Sequence, residues 1–232
     1  MNNKKNLNLL IRGEVFRIGG NGSRTTNGNI NEQKTAVLSV IKYIINPLNN
    51  LYNLNIYINV ICSSSDKKIL LRKMFKNIKN IKIFHIYNRS NGQINFIRQS
   101  IKKIINKNLA LLIVRIDCVL KISIPFERLK FNCFYAIFKH IHNQQICDIM
   151  LFIPSFKLKL FLKVSNDLLV DDNLHKLYII LIKLNFDKNK LKYFLKYIYR
   201  SNSSIGWNPI YYLTGRKIIK KRKDDKNLEF DF

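Results

Sequence analysis

Leu109-Ala110-Leu111-Leu112-Ile113-Val114 is apolar at every position and runs directly into Arg115-Ile116-Asp117. A strand with one wet face alternates apolar and polar residues; an unbroken run predicts a strand covered on both faces, the central strand of a parallel sheet. The arginine and aspartate then fall at its carboxyl end. Open α/β sheets bind ligands beyond that edge, where the strand order reverses.

What precedes this strand agrees with it. Leu7-Asn8-Leu9-Leu10-Ile11, the alternating stretch from Leu54 to Cys62, and Ile81 to Tyr87 read as three earlier strands. Between them lie segments of helical period. Gln33 to Ile45 is apolar at Ala36, Val37, Val40, Ile41, Ile44 and Ile45, with Pro47 expected to end the helix; Lys67 to Asn77 and Ile94 to Ile105 follow the same pattern. Ser63-Ser64-Ser65-Asp66 offers the cap for the second of these, with Asp66 read as a capping acid. Repeated strand–helix alternation predicts right-handed crossovers and an open parallel sheet. With 232 residues, the chain suits one α/β domain whose core needs no staples.

The loop expected after the first strand is Arg12-Gly13-Glu14-Val15-Phe16-Arg17-Ile18-Gly19-Gly20-Asn21-Gly22-Ser23-Arg24. Glycine lacks the Cβ that keeps a ligand away from backbone N–H groups, so this composition suits a phosphate cradle, with Arg12, Arg17 and Arg24 supplying charge. The spacing is neither a P-loop nor the dinucleotide G-x-G-x-x-G pattern. Gly19, Gly20 and Gly22 also suit a flexible surface turn. If the first and fourth strands are neighbours, this loop and Asp117 face one ligand.

Beyond Asp117 the regularity breaks down. Phe131–Phe138 and Ile146–Ile153 read as strands, the second stopped by Pro154. Leu158–Val164 fits helix or strand. Asp171-Asp172 caps a helix running to about Lys183, Lys188–Tyr199 reads as another, and Ser201–Pro209 is a loop holding the only tryptophan, Trp207.

A formal charge of +27 raises nucleic-acid binding as an alternative function. Against it, Asn, Lys and Ile are used throughout the chain, the aromatics lie inside apolar runs, and no nucleic-acid module is recognisable. Residues 217–232 read as a charged tail able to touch acidic partners or membrane headgroups. No apolar run is long enough for a transmembrane segment, and the one behind Lys4-Lys5 is shorter than a signal-peptide core, so a cytoplasmic protein is expected. Cys62, Cys118, Cys133 and Cys147 lack paired spacing and read as reduced core thiols. His140 and His142 share a strand face but have no further ligands beside them for zinc.

Several of these residues, taken in order, carry a resemblance. Arg12-Gly13-Glu14-x-Phe16-Arg17 with Gly19-Gly20-x-Gly22-Ser23-Arg24, then Gln33, then Arg115-Ile116-Asp117 with Lys121, then Asn208-Pro209-x-Tyr211 leading to Gly215-Arg216, span nearly the whole chain. The pattern resembles glycosyltransferase-like proteins of the nucleotide-diphospho-sugar transferase (GT-A-like) fold, found among large viruses, algae and bacteria. The resemblance implies a single Rossmann-like α/β domain over residues 1–216, with a mostly parallel central sheet flanked by helices. Residues 1–117 would form the nucleotide-binding half and residues 118–216 the acceptor half.

It also implies a function, transfer of a sugar from a nucleotide-diphosphate donor to a glycan or glycoprotein acceptor. The nucleotide sugar would be held by Arg12, Gly13, Glu14, Arg17, Gly20, Gly22, Ser23, Arg24, Arg115 and Asp117. In that fold an acidic motif at the end of a central strand binds Mn²⁺ or Mg²⁺, which bridges the diphosphate, and Asp117 occupies the corresponding place. The usual Asp-x-Asp is not met, because Arg115 stands where the first aspartate would be. A guanidinium matches phosphate oxygens bidentately and is able to neutralise the diphosphate itself. The departure also leaves open a catalytically inactive nucleotide-sugar-binding relative. An inverting transfer needs a base for the acceptor hydroxyl. Of the 14 carboxylates, Asp148, just before an apolar strand, is the candidate, with a structural turn as its other reading. Trp207 and Asn208 would meet the acceptor sugar, or pack the C-terminal segment on the sheet.

Overall fold

The computed structural model describes residues 4–16, 28–62, 64–87, 92–104, 106–137, 149–167, 187–194 and 211–213. In chain order these form β1 (Asn6–Glu14), α1 (Ile30–Val40), a π turn (Ile41–Ile45), α2 (Asn46–Leu51), β2 (Asn53–Ile61), α3 (Ser65–Met74), β3 (Ile81–Tyr87), α4 (Gln93–Lys102) and β4 (Leu111–Arg115). There follow β5 (Cys118–Leu120), β6 (Phe134–Ala136), β7 (Met150–Ile153), α5 (Leu158–Asp167), β8 (Leu191–Tyr193) and β9 (Tyr211–Leu213).

Seven strands make the main sheet in the order β3-β2-β1-β4-β7-β6-β8, and β5 pairs with β9 beside it. β1 is parallel to β2 and β4, β2 is parallel to β3, and β6 is parallel to β8. Only β7 runs against its neighbours β4 and β6. The result is the expected mostly parallel α/β sheet. The chain lays down β1, β2 and β3 outward in one direction, then returns through α4 to place β4 on the other side of β1. Strand order therefore reverses between β1 and β4.

Both faces of these strands are covered, which explains their unbroken apolar runs. Val37, Val40 and Leu71 pack with Leu9, Ile11, Ile58, Leu112 and Val114 on one face. On the other, Ile94, Ile97, Ile101 and Ile104 pack with Leu10, Tyr57, Leu111 and Ile113. Leu112 and Ile113 are fully buried in opposite layers, each contributing about 1.5–3 kcal/mol of transfer free energy.

Local chemistry differs from expectation at several places. Pro47 does not end the first helix: the π turn passes into α2, and Pro47 occupies its first turn, where a missing N–H is least costly. Ser64, not Asp66, caps α3, its side chain accepting from the Lys67 N–H at 3.4 Å, while Asp66 sits in the first turn and favours the helix dipole. Leu158–Val164 resolves as helix within α5, burying Leu158 and Phe161 three residues apart. The helix expected over Lys188–Tyr199 is instead a short 3-10 turn followed by β8, because pairing with β6 buries Leu191 and Phe194. Residues 195–199 and the helix expected from Asp171 to Lys183 lie outside the described residues, as does the tail.

Candidate functional site

The ladder register puts four polar residues in one row. Arg12 on β1 is the partner of Asn59 on β2 and of Arg115 on β4, and Asn59 is the partner of His85 on β3. Register partners in a parallel sheet project to one face, about 4.8 Å apart from strand to strand. The row His85–Asn59–Arg12–Arg115 therefore lies one pleat beyond the apolar row Ile83–Tyr57–Leu10–Ile113, on the α4 face, at the carboxyl edge. It crosses the reversal of strand order, the position at which sheets of this kind bind ligands.

The row is polar yet largely out of solvent. Arg12 is 2% exposed and Asn59 is 0% exposed. Asn8, equally buried on the same face, shows how a structural asparagine is satisfied: its Nδ2 donates to the Asn106 carbonyl at 2.6 Å and its Oδ1 accepts from Asn55 at 3.3 Å. Neither Oδ1 nor Nδ2 of Asn59 has a protein partner. A buried amide left in that condition costs stability, so its retention calls for another explanation.

Asp117, 1% exposed, closes the row at the β4 side. The Arg115 guanidinium grips it as a fork, Nε donating to Oδ1 at 2.9 Å and Nη2 to Oδ2 at 2.6 Å. Gly13 lies against this carboxylate: a Cβ there would meet Asp117 Oδ1 at 3.6 Å, an ordinary contact, so space does not demand glycine. Its φ of +127° does, since L side chains avoid that region.

Gln33 fixes the spacing of the two strand ends. It is fully buried on α1, accepts from the Phe16 N–H through Oε1 at 2.8 Å and donates through Nε2 to the Ile116 carbonyl at 3.2 Å. The Ile116 N–H in turn donates to the Arg12 carbonyl at 2.8 Å. Phe16 itself has φ +54°, so the chain leaves β1 through a left-handed residue that Gln33 holds. A further tie, from α1 to β5, is the Ser39 hydroxyl, which accepts from the Leu120 N–H at 2.9 Å.

Among the expected site residues, the structure brings together Arg12, Gly13, Arg115 and Asp117, with half-buried Glu14 two residues past Arg12 on the same strand. Arg12, Gly13 and Glu14 belong to β1 itself and not to the loop after it, because nine residues of β1 pair with β2. Arg17, Gly20, Gly22, Ser23, Arg24, Asp148, Trp207 and Asn208 lie outside the described residues. Ile149, next after Asp148, accepts from the Arg115 N–H at 2.9 Å. Tyr211 begins β9, opposite Leu120.

Sequence reasoning missed Asn59 and His85. The available signal was an asparagine inside an otherwise buried strand, visible only once the register with β1 is known. The His85 ring stands 4.2 Å from that of Tyr87. Burial lowers its pKa, with the Lys103 and Arg72 charges adding to the effect, so the imidazole favours its neutral form. Burial likewise lowers the pKa of Lys121, just past β5.

The donor set does not fit a divalent cation at Asp117. No group of three His, Cys, Asp or Glu side chains converges among the described residues. The Asp117 carboxylate already binds a guanidinium through both oxygens. Cys62, Cys118 and Cys133 are buried and form no disulfide with one another, while Cys147 lies outside the described residues. No helix among the described residues is long and apolar enough to cross a membrane.

This arrangement, a mostly parallel α/β sheet reversing at β1 and β4 with charge at their carboxyl ends, is a fold that solved structures of low identity share. The structure is similar to 4-diphosphocytidyl-2C-methyl-D-erythritol synthase from Anaerococcus prevotii, with 9% identity, a TM-score of 0.50, and coverage of 79% of this chain and 85% of that one. The glycosyltransferase GlyE of Streptococcus pneumoniae is similar with 14% identity and a TM-score of 0.49 over 82% of this chain, which spans 45% of that protein. The galactosyltransferase LgtC, solved with donor and acceptor sugar analogues, is similar with 11% identity and a TM-score of 0.47 over 86% of this chain and 75% of that one. At 9% identity the first of these likenesses is one of fold alone. No family model matches the sequence, and no curated protein matches it.

Proposed function

We propose that the chain binds a nucleotide-diphosphate sugar at the β1–β4 reversal and transfers the sugar to a hydroxyl of a glycan or glycoprotein acceptor. The observation that carries this reading is the pairing of Arg12 with Arg115 across that reversal, beside Asp117 and the left-handed backbone of Gly13. Transfer requires the departing diphosphate to be stabilised, and two guanidinium groups preorganised in a largely dry site supply that without reorganising. Asn59 would engage the nucleoside through its amide, and Glu14 the ribose or an arginine. Arg17, Gly20, Gly22, Ser23 and Arg24 are the further proposed contacts to the nucleotide sugar.

Asp148 is the proposed base. The support is its position in the chain: the next residue, Ile149, is bonded by its backbone to Arg115. Trp207 and Asn208 are the proposed acceptor contacts, and they precede β9, which pairs with β5 three residues after Arg115.

Titration calorimetry with UDP, GDP and CDP tests the reading. Binding of one nucleoside diphosphate in the micromolar range is expected, and Arg12→Ala should weaken it about tenfold or more. Asp148→Ala should retain that binding and lose transfer. An affinity for single-stranded nucleic acid that falls steeply with salt, with no response to nucleotides, would instead establish the basic nucleic-acid binder.

A further inference from the structure

We propose that this site binds its diphosphate without a divalent cation, Arg115 standing in the place of the metal and Asp117 serving to hold that guanidinium. The inference rests on the nucleotide-sugar reading above and deepens it by stating what neutralises the donor.

Three observations carry it. Both Asp117 oxygens accept from Arg115, at 2.9 and 2.6 Å, with the acid almost wholly buried and the arginine side chain 13% exposed. A cation seated on Asp117 would have to displace this fork or lie within a few ångströms of a permanent positive charge, since arginine does not deprotonate in proteins. Second, Mg²⁺ is usually held by one or two carboxylates with substrate phosphates and water completing the shell, and among the described residues no cluster of three His, Cys, Asp or Glu side chains supplements Asp117.

Third, Arg115 does not carry the charge alone. Arg12, its register partner, adds a second positive charge on the same face. Two fixed guanidinium groups thus offer the same charge as one divalent ion, in a geometry suited to bidentate phosphate contact. Asp117 is on this view a positioning residue.

Two measurements on the full chain test this. In the first, Mn²⁺ alone is titrated in and followed by its electron paramagnetic resonance. The free-ion signal should be undiminished by the wild-type chain. Tight Mn²⁺ binding by the wild type that Asp117→Asn removes would overturn the inference, whatever the chain does with nucleotides. In the second, the nucleoside diphosphate that binds is titrated in EDTA and again in Mn²⁺. The two dissociation constants should agree within about twofold, whereas loss of binding in EDTA with recovery in Mn²⁺ overturns the inference. Arg115→Asp, which creates an acid two residues before Asp117, should make binding depend on Mn²⁺. If no nucleoside diphosphate binds under either condition, the nucleotide-sugar reading is what fails, and the Mn²⁺ titration still decides whether Asp117 is a metal ligand.

Discussion

Arg12 and Arg115 are register partners in the ladder between β1 and β4, two guanidinium side chains on one face of adjacent parallel strands. Like charges so placed destabilise a sheet, by about 0.2–1 kcal/mol for an ordinary cross-strand pair, and Asp117 is bonded to Arg115. An anion between them relieves that repulsion. Inorganic pyrophosphate should therefore raise the melting temperature, by the equivalent of about 2.7 kcal/mol at a hundredfold excess over its Kd. Added chloride salt should shrink the shift. Arg12→Leu should lose it, and an equal shift in that variant would remove Arg12 from the site.

Asn59 leads to an opposite pair of effects from one substitution. Its amide is buried without a protein partner while that of Asn8, four residues nearer the start of its own strand in register terms, is fully engaged. Asn59→Leu conserves volume and removes the unpaired polar atoms, so the free protein should gain about 1–3 kcal/mol, read from the urea midpoint. The same variant should bind nucleoside diphosphate less well. A fall in stability would mean that Asn59 is satisfied in solution and has no need of a ligand.

The sequence made much of this architecture readable for a physical reason. Strands covered on both faces must be apolar throughout, so Leu111–Val114 announced a central strand, and β3 was located at its observed bounds, Ile81–Tyr87. Arg115 and Asp117 were legible because charge at the end of such a run is conspicuous. Asn59 was not, since a polar residue in an alternating strand reads as solvent-facing until the register places it beneath α4. β8 was missed because three residues paired to β6 override a local helical pattern, a tertiary effect that no short window contains. Pro47 misled because a proline that ends one helix is also the residue best suited to begin another.

His85 ends the polar row and sets a pH dependence. Burial, with help from Lys103 and Arg72, lowers its pKa in the folded chain below the ordinary value near 6.5. Above about pH 6.5 both folded and unfolded chains hold it neutral and it contributes no slope. As pH falls below that value the unfolded chain takes up the proton first, so folding stability declines until the lowered folded pKa is reached, and then levels. His85→Gln should flatten this part of the stability–pH curve. An unchanged slope in the variant would assign the acid sensitivity to other groups.

Gln33 controls the site without facing the ligand. Its carboxamide ties the left-handed exit of β1 at Phe16 to the end of β4 at Ile116, accepting from the first at 2.8 Å and donating to the second at 3.2 Å. Gln33→Leu leaves a buried N–H and a buried carbonyl without that partner, at about 1–3 kcal/mol for each group. Gln33→Glu retains the acceptor for Phe16 but sets a carboxylate oxygen against the Ile116 carbonyl, so it should be destabilised as well while keeping the β1 exit in place. Because the Arg12 carbonyl bonds to the Ile116 N–H at the same crossing, loosening it misplaces both arginines. Nucleoside diphosphate affinity should therefore fall in both variants, measured at a temperature where each remains folded by circular dichroism. Full affinity in a folded Gln33→Leu chain would show that the spacing of β1 and β4 is set by the ladder alone.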